Sequence, residues 1–369
     1  MTTMGAISYA EDGEAVNSEA EGQSDQGPAQ VINIDDLRPS SDQLMREAIQ
    51  LQNGGAPGRA AAVYADVLRY YPESDRKPEI IFRLAECYRA LGRFPESRQM
   101  LDLLEADFDG SEWALPGRLL AGELDATEEK WSEARENFKA AAKSDRKEIR
   151  IRSLYLVALS SIRLDELSAA KPSLVDLADI ESDNPHRDFA SLKLGQLAVD
   201  DLDSIWGKKP LSSKSLDRVH QAEEFFTKAL SLTREPALRA EAAVRAGNLV
   251  YRADKLDDAI AYYEMVRKLE APEQWRELSH LGLVQALFSK KDFAGVIRIF
   301  NEVKPVFPEN FRKQVLYMVA ESYRSNEKWD DALRTFDLVL NEAEEGSALA
   351  RAALWAQVMI LQKNGDESV

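Results

Sequence analysis

Cysteine and histidine are nearly missing: one Cys, Cys87, and three scattered histidines, His186, His220 and His280, in 369 residues. One thiol closes no internal disulfide, and histidines without an H-x-x-x-H spacing make no zinc site, so disulfide scaffolds and metalloenzymes are excluded and no metal ligand is assigned. Long apolar runs are missing too. Nothing approaches the roughly 18 consecutive apolar residues of a membrane span. Positive charge is short, with 47 Lys+Arg against 64 Asp+Glu and a formal net charge of −17, a balance that repels phosphate backbones and speaks against nucleic acid as a partner. Neither Gly-x-x-x-x-Gly-Lys-Ser/Thr nor Gly-x-Gly-x-x-Gly occurs, so no phosphate cradle and no cofactor are expected. The start of the chain lacks the basic and apolar stretches of a signal peptide, which points to the cytoplasm; an upstream start that restored an export signal would point to the periplasm instead.

Residues 1–40 hold eight acids against Arg38 alone, with Gly, Ser, Gln and Ala between them. Such a stretch buries too little apolar surface to offset its ordering entropy, and the expectation is a disordered acidic tail with one apolar exception, Val31-Ile32-Asn33-Ile34. Residues 365–369 are expected to be disordered as well.

From residue 41 to 364 the chain repeats itself. Small residues at Ala60, Ser97, Ala134, Ala170, Ala222, Ala259 and Ala332, with Val296 in the same series, recur at spacings of 37, 37, 36, 52, 37, 37 and 36. Three residues before each of these anchors stands Pro57, Phe94, Trp131, Leu167, Val219, Leu256, Phe293 or Trp329, and four after it Tyr64, Leu101, Phe138, Leu174, Phe226, Tyr263, Phe300 or Phe336. Offsets of four and seven share one helical face, and a second amphipathic stretch precedes each anchor, so each unit is a helical hairpin. The one long interval is a repeat plus 15 residues and marks an insertion near 202–216 in the fifth unit.

Gly or Ala beside Leu and then an aromatic on the first helix, followed by Ala, an aromatic and Pro on the second, resembles the tetratricopeptide repeat family; Ala60, Tyr64 and Pro72, and Gly122 with Ala134, Phe138 and Ala141, carry the likeness. The period is nearer 37 than that family's 34. The resemblance implies an all-α fold: a right-handed superhelical solenoid of about eight helix-turn-helix repeats, capped by a C-terminal helix, whose first helices line a concave groove that binds a protein segment.

The groove-facing column fifteen residues before the anchors, counted in the fifth unit across its 15-residue insertion, contains Phe82, Tyr155, Leu192 and Tyr317, and the next column, four residues on, contains Glu86, Glu123 and Gln285. The Lys and Asn arrangement of a chaperone-tail clamp is not present in these columns. Apolar residues flanked by Glu and Gln suggest an apolar or amphipathic ligand of basic character, with Arg89 and Arg324 at the helix ends placed to hold its carboxylates or simply to oppose the helix dipole. Trp206, Lys208 and Lys209 in the insertion form a second candidate contact, an aromatic joined to cations in an acidic protein. Ser74-Asp75-Arg76-Lys77 and Ser144-Asp145-Arg146-Lys147 match Ser-x-x-Lys but fall in turns, and the paired acids Asp257-Asp258 and Asp330-Asp331 recur where acids favour a helix N-terminus. No catalytic residue is assigned. The expected function is a non-enzymatic scaffold or adaptor; an accessory subunit of a cell-envelope assembly and a self-assembling homo-oligomer in which Trp355 and Met359 bind the first hairpin of another copy stay open beside it.

Overall fold

The computed structural model describes residues 39–181, 183–202, 206, 211–303 and 307–363. Residues 1–38 of the acidic stretch with Val31-Ile32-Asn33-Ile34, the lysines Lys208 and Lys209, and residues 364–369 lie outside the described residues.

The described residues are all-helical. Eight hairpins follow one another, α1 Ser41–Asn53 with α2 Pro57–Tyr70, α3 Lys77–Ala90 with α4 Phe94–Phe108, α5 Ala114–Thr127 with α6 Trp131–Ala141, and α7 Lys147–Arg163 with a 3₁₀ turn and α8 Lys171–Asp179. The second half continues with α9 Arg187–Asp200 and α10 Ser213–Leu232, α11 Pro236–Arg252 and α12 Leu256–Arg267, α13 Glu273–Ser289 and α14 Phe293–Val303, and α15 Arg312–Ser325 and α16 Trp329–Glu342. A last helix, α17 Ala348–Lys363, packs on α15 and α16.

The hairpins are closed by one recurring turn. Seven of them have three residues between their helices, and the middle one, Gly55, Gly92, Glu129, Asp165, Asp254, Lys291 or Glu327, has positive φ. The next residue's amide then reaches back to the first helix, as in Ala56 N to Leu51 O at 2.9 Å, Arg93 N to Tyr88 O at 2.9 Å and Lys328 N to Tyr323 O at 3.0 Å. This left-handed cap satisfies carbonyls at the end of the first helix and reverses the chain within a few residues. The residue after the turn, Pro57, Phe94, Trp131, Leu256, Phe293 or Trp329, is the first of the second helix. Only the fifth hairpin differs. Nine of its fifteen extra residues lengthen the connection from α9 to α10, and six lengthen α10 ahead of Val219.

All eight anchors are completely buried. They let the two helices approach, and the aromatic one turn on fills the space created: Tyr64, Phe138, Phe226, Tyr263 and Phe336 are essentially buried. Opposite three of these rings the facing first helix carries glycine. A β-carbon at Gly122 would lie 2.6 Å from the Phe138 ring, at Gly195 2.6 Å from Phe226 and at Gly247 2.7 Å from Tyr263. The anchor Ser97 buries its hydroxyl by donating to the Ala85 carbonyl at 2.8 Å. Neighbouring first helices touch one another, α3 with α5, α9 with α11, α11 with α13 and α13 with α15, whereas the second helices come less close. The stack therefore bends towards its first helices, which form the inner wall.

Candidate functional site: the inner wall

The column fifteen residues before the anchors does not face an open groove. Leu192 is 1% exposed, packed with Val219, Ala222 and Phe226 in the core of the fifth hairpin. Its assignment to a binding surface is therefore corrected: a side chain with no accessible surface meets no ligand. Phe82, Tyr155 and Tyr317 are half-buried because each is covered by another ring. Trp113, from the start of the next hairpin, lies 5.2 Å from Phe82; His186 stacks at 3.9 Å on Tyr155, with Phe189 edge-on at 5.1 Å; and Phe336 stands 5.8 Å from Tyr317. The rings on Phe82 and Tyr155 cement one hairpin to the next, and the Tyr317–Phe336 pair joins the two helices of the last hairpin.

The surface of the wall is made by residues one turn further on, and in the first hairpins it is a chain of polar contacts. Tyr64 donates to Gln52 at 2.8 Å, and Gln52 of α1 donates to Glu86 of α3 at 3.1 Å. Glu123 of α5 lies between Arg89 of α3 at 3.5 Å and Arg152 of α7 at 2.6 Å. Burial holds the Glu86 carboxyl above its ordinary value, with the Gln52 amide opposing the rise. Burial also pushes the Tyr64 hydroxyl up to about 12. Glu79 is partly desolvated, yet bonds from Arg83 and Arg76 more than offset that and lower its pKa. The acids of this stretch thus already have partners within the molecule, and Arg324 of α15 is likewise held by Glu321 at 2.6 Å.

Between α9 and α13 the wall changes character. Gln196, Asn248 and Gln285 stand at the same position on three successive first helices. Gln196 donates to Glu241 at 2.8 Å, which steadies α9 against α11. Asn248 accepts from Tyr263 at 2.7 Å through its side-chain oxygen, so its amide nitrogen is the group presented outwards. Beside them lies a cleft of about 210 Å³ between α9 and α11, bounded by Gln196, Val199, Arg245, Asn248 and Arg252 with Phe226 and Leu249 beneath. A second cleft of about 320 Å³ lies on the other side of Arg252, against Trp206, Tyr251, Leu256 and Ser289. The Arg252 guanidinium sits 4.4 Å above the Trp206 ring, and Trp206 is half-buried against the core of the fifth hairpin. The structure thus gathers Trp206 to this part of the wall, whereas Phe82, Glu86, Arg89 and Glu123 lie several hairpins away. Of the carboxamide column, Gln285 is the member that the sequence places among the groove residues. Gln196 and Asn248 were legible in the same column, but the cleft with Val199 and Arg245 appears only when α9 and α11 are placed side by side.

Among the described residues no helix is long and apolar enough to cross a membrane. A tetratricopeptide repeat family model matches residues 54–121, from the first turn through most of α5. Among solved structures the chain is similar to a tetratricopeptide repeat protein from Parabacteroides merdae, at 12% identity over 86% of this chain and 98% of that one with a TM-score of 0.41. It is also similar to the C-terminal part of a TPR repeat-containing protein from Cytophaga hutchinsonii, at 16% identity over 84% of this chain and 99% of that one with a TM-score of 0.44. No curated protein matches the sequence. The residues that the family model matches build the same hairpin, with the same turn and the same buried anchor, as the other hairpins except the fifth, and over residues 54–121 the chain carries the tetratricopeptide repeat.

Proposed function

We propose that this protein is a non-enzymatic scaffold that holds an extended segment of a partner protein against its inner wall, between α9 and α13. The carrying observation is the Gln196, Asn248 and Gln285 series, with the Asn248 oxygen engaged by Tyr263 and its amide presented outwards. Carboxamides repeated along a line both donate to and accept from a peptide backbone, whatever its sequence. The cleft over Phe226 and Leu249 supplies what the carboxamides lack, a place for one apolar side chain of the ligand. The formal charge of −17 favours a segment with basic residues and speeds its encounter. The internal pairing of Glu86, Glu123 and Arg324 argues against the outer hairpins as the centre of binding, because a ligand there would first have to displace an existing hydrogen bond from Gln52 and existing ion pairs.

Peptides selected from a displayed library against the full chain test this reading. Asn248→Ala should weaken their binding about five- to tenfold, the value of one or two hydrogen bonds. Val199→Glu should abolish it by placing a charge in the apolar cleft, while Leu338→Asp on the outer face of α16 should change nothing. Selected peptides that bind both wall variants as tightly as the parent would overturn the assignment.

A further inference from the structure

The face of α17 turned away from α15 and α16 carries Leu354, Trp355, Val358 and Met359, which are 52%, 67%, 38% and 44% exposed. The opposite face, with Ala350, Ala353, Ala356 and Ile360, is buried. Positions i, i+1, i+4 and i+5 make one apolar stripe along the helix, the shape that receives another helix rather than an extended strand of peptide. We propose that this stripe is the two-fold interface of a homodimer, with α17 of one molecule packed antiparallel on α17 of a second copy.

Two observations select a second copy as the occupant. The first is the other end of the array. The positions through which later first helices pack on the hairpin before them, occupied by Gly117, Leu120, Ala121 and Leu124 in α5, are Gln43, Arg46, Glu47 and Gln50 in α1, all exposed. The apolar stripe therefore finds no apolar counterpart at α1, and copies do not add head to tail. A two-fold contact needs only the one patch, matched to itself. The second observation is charge. At −17 per molecule most of the surface repels another copy, but α17 contains no acid. Its two cations are turned to their own molecule: Lys363 lies 4.9 Å from the Trp329 ring centre and 3.8 Å from Glu327, and Arg351 donates to the Gly346 carbonyl. Two stripes with their flanks bury on the order of 1,200 Å², the lower end of a specific interface.

Sedimentation velocity of the full chain across micromolar concentrations tests the proposal. A monomer–dimer equilibrium that stops at two copies is expected, and Trp355→Glu with Met359→Glu should weaken it at least about thirtyfold while the circular dichroism stays that of the parent. A short bismaleimide should link two copies of Val358→Cys and leave Gln50→Cys unlinked, which keeps the proposal open to failure even if the double variant misfolds. Three outcomes overturn it: a monomer at every concentration, a dimer indifferent to the α17 variants, or a ladder of ever larger species. A peptide bound at the wall with no dimer would leave the function proposed above standing and remove this inference alone.

Discussion

Five of the seven short turns place a residue with a side chain where the backbone is left-handed: Glu129, Asp165, Asp254, Lys291 and Glu327, with φ between 59° and 67°. An L-residue pays about 1–2 kcal/mol there that glycine does not. Part of that gain is lost because glycine loosens the unfolded chain. Lys291→Gly should therefore raise stability by about 0.5–1 kcal/mol, and Gly92→Ala, its mirror image at φ 71°, should lower it by about 1 kcal/mol, both read from urea midpoints. Gly122 is fixed for another reason. Its added methyl would meet not only the Phe138 ring but also the Ala134 carbonyl at 3.1 Å, and backbone does not move aside, so Gly122→Ala should cost about 1–3 kcal/mol in the same experiment.

Helix against helix, the array relies on apolar packing with polar contacts at chosen crossings. Asp125, at the end of α5 and 4% exposed, accepts from Arg98 of α4 and Asn137 of α6, both at 2.8 Å. Three helices from two hairpins thus meet at one carboxylate beside a cavity of about 290 Å³. Asp125→Ala should lower stability by about 1–3 kcal/mol, because it strands partly buried donors, and thermal denaturation would report it as a lower midpoint. The wall pair Arg89–Glu123 is different: Arg89 is well exposed, and Glu123→Gln should cost less than about 1 kcal/mol. A drop at Glu123 as large as that at Asp125 would mean that the wall pairs are structural rather than merely occupied.

At the scale of the molecule the core is a row of clusters and not one centre. The largest joins the last three hairpins to α17, from Val250 to Ile360, while the first hairpins hold smaller ones around Met45 and Tyr64 or Leu101 and Leu124. Each hairpin touches only its neighbours, so stability adds along the row and the ends open independently. Unfolding should depart from two-state behaviour, with a calorimetric enthalpy above the van't Hoff value. Hydrogen exchange should be slowest in α13, α15 and α16, where the largest cluster lies. A single cooperative transition with uniform protection would refute a row of semi-independent units.

The repeat was readable from the chain alone because helix pairing is local. An anchor at Ala134 and a ring at Phe138 share one face whatever surrounds them, so the eight hairpins, their turns and the extra fifteen residues of the fifth follow from spacing. What spacing does not carry is how one hairpin leans on the next. Phe82 and Tyr155 read as groove residues until Trp113 and His186 from the following units close over them, and Leu192 until Phe226 packs beside it. Trp113 and His186 each meet a ring 31 positions earlier through the tilt between units, and Phe226 meets Leu192 across one hairpin; neither is encoded by a single-helix periodicity. The clefts beside Arg252 and the uncovered stripe on α17 arise in the same way. Each depends on which neighbour is present and how closely it stands, and that is decided by packing rather than by the local chain.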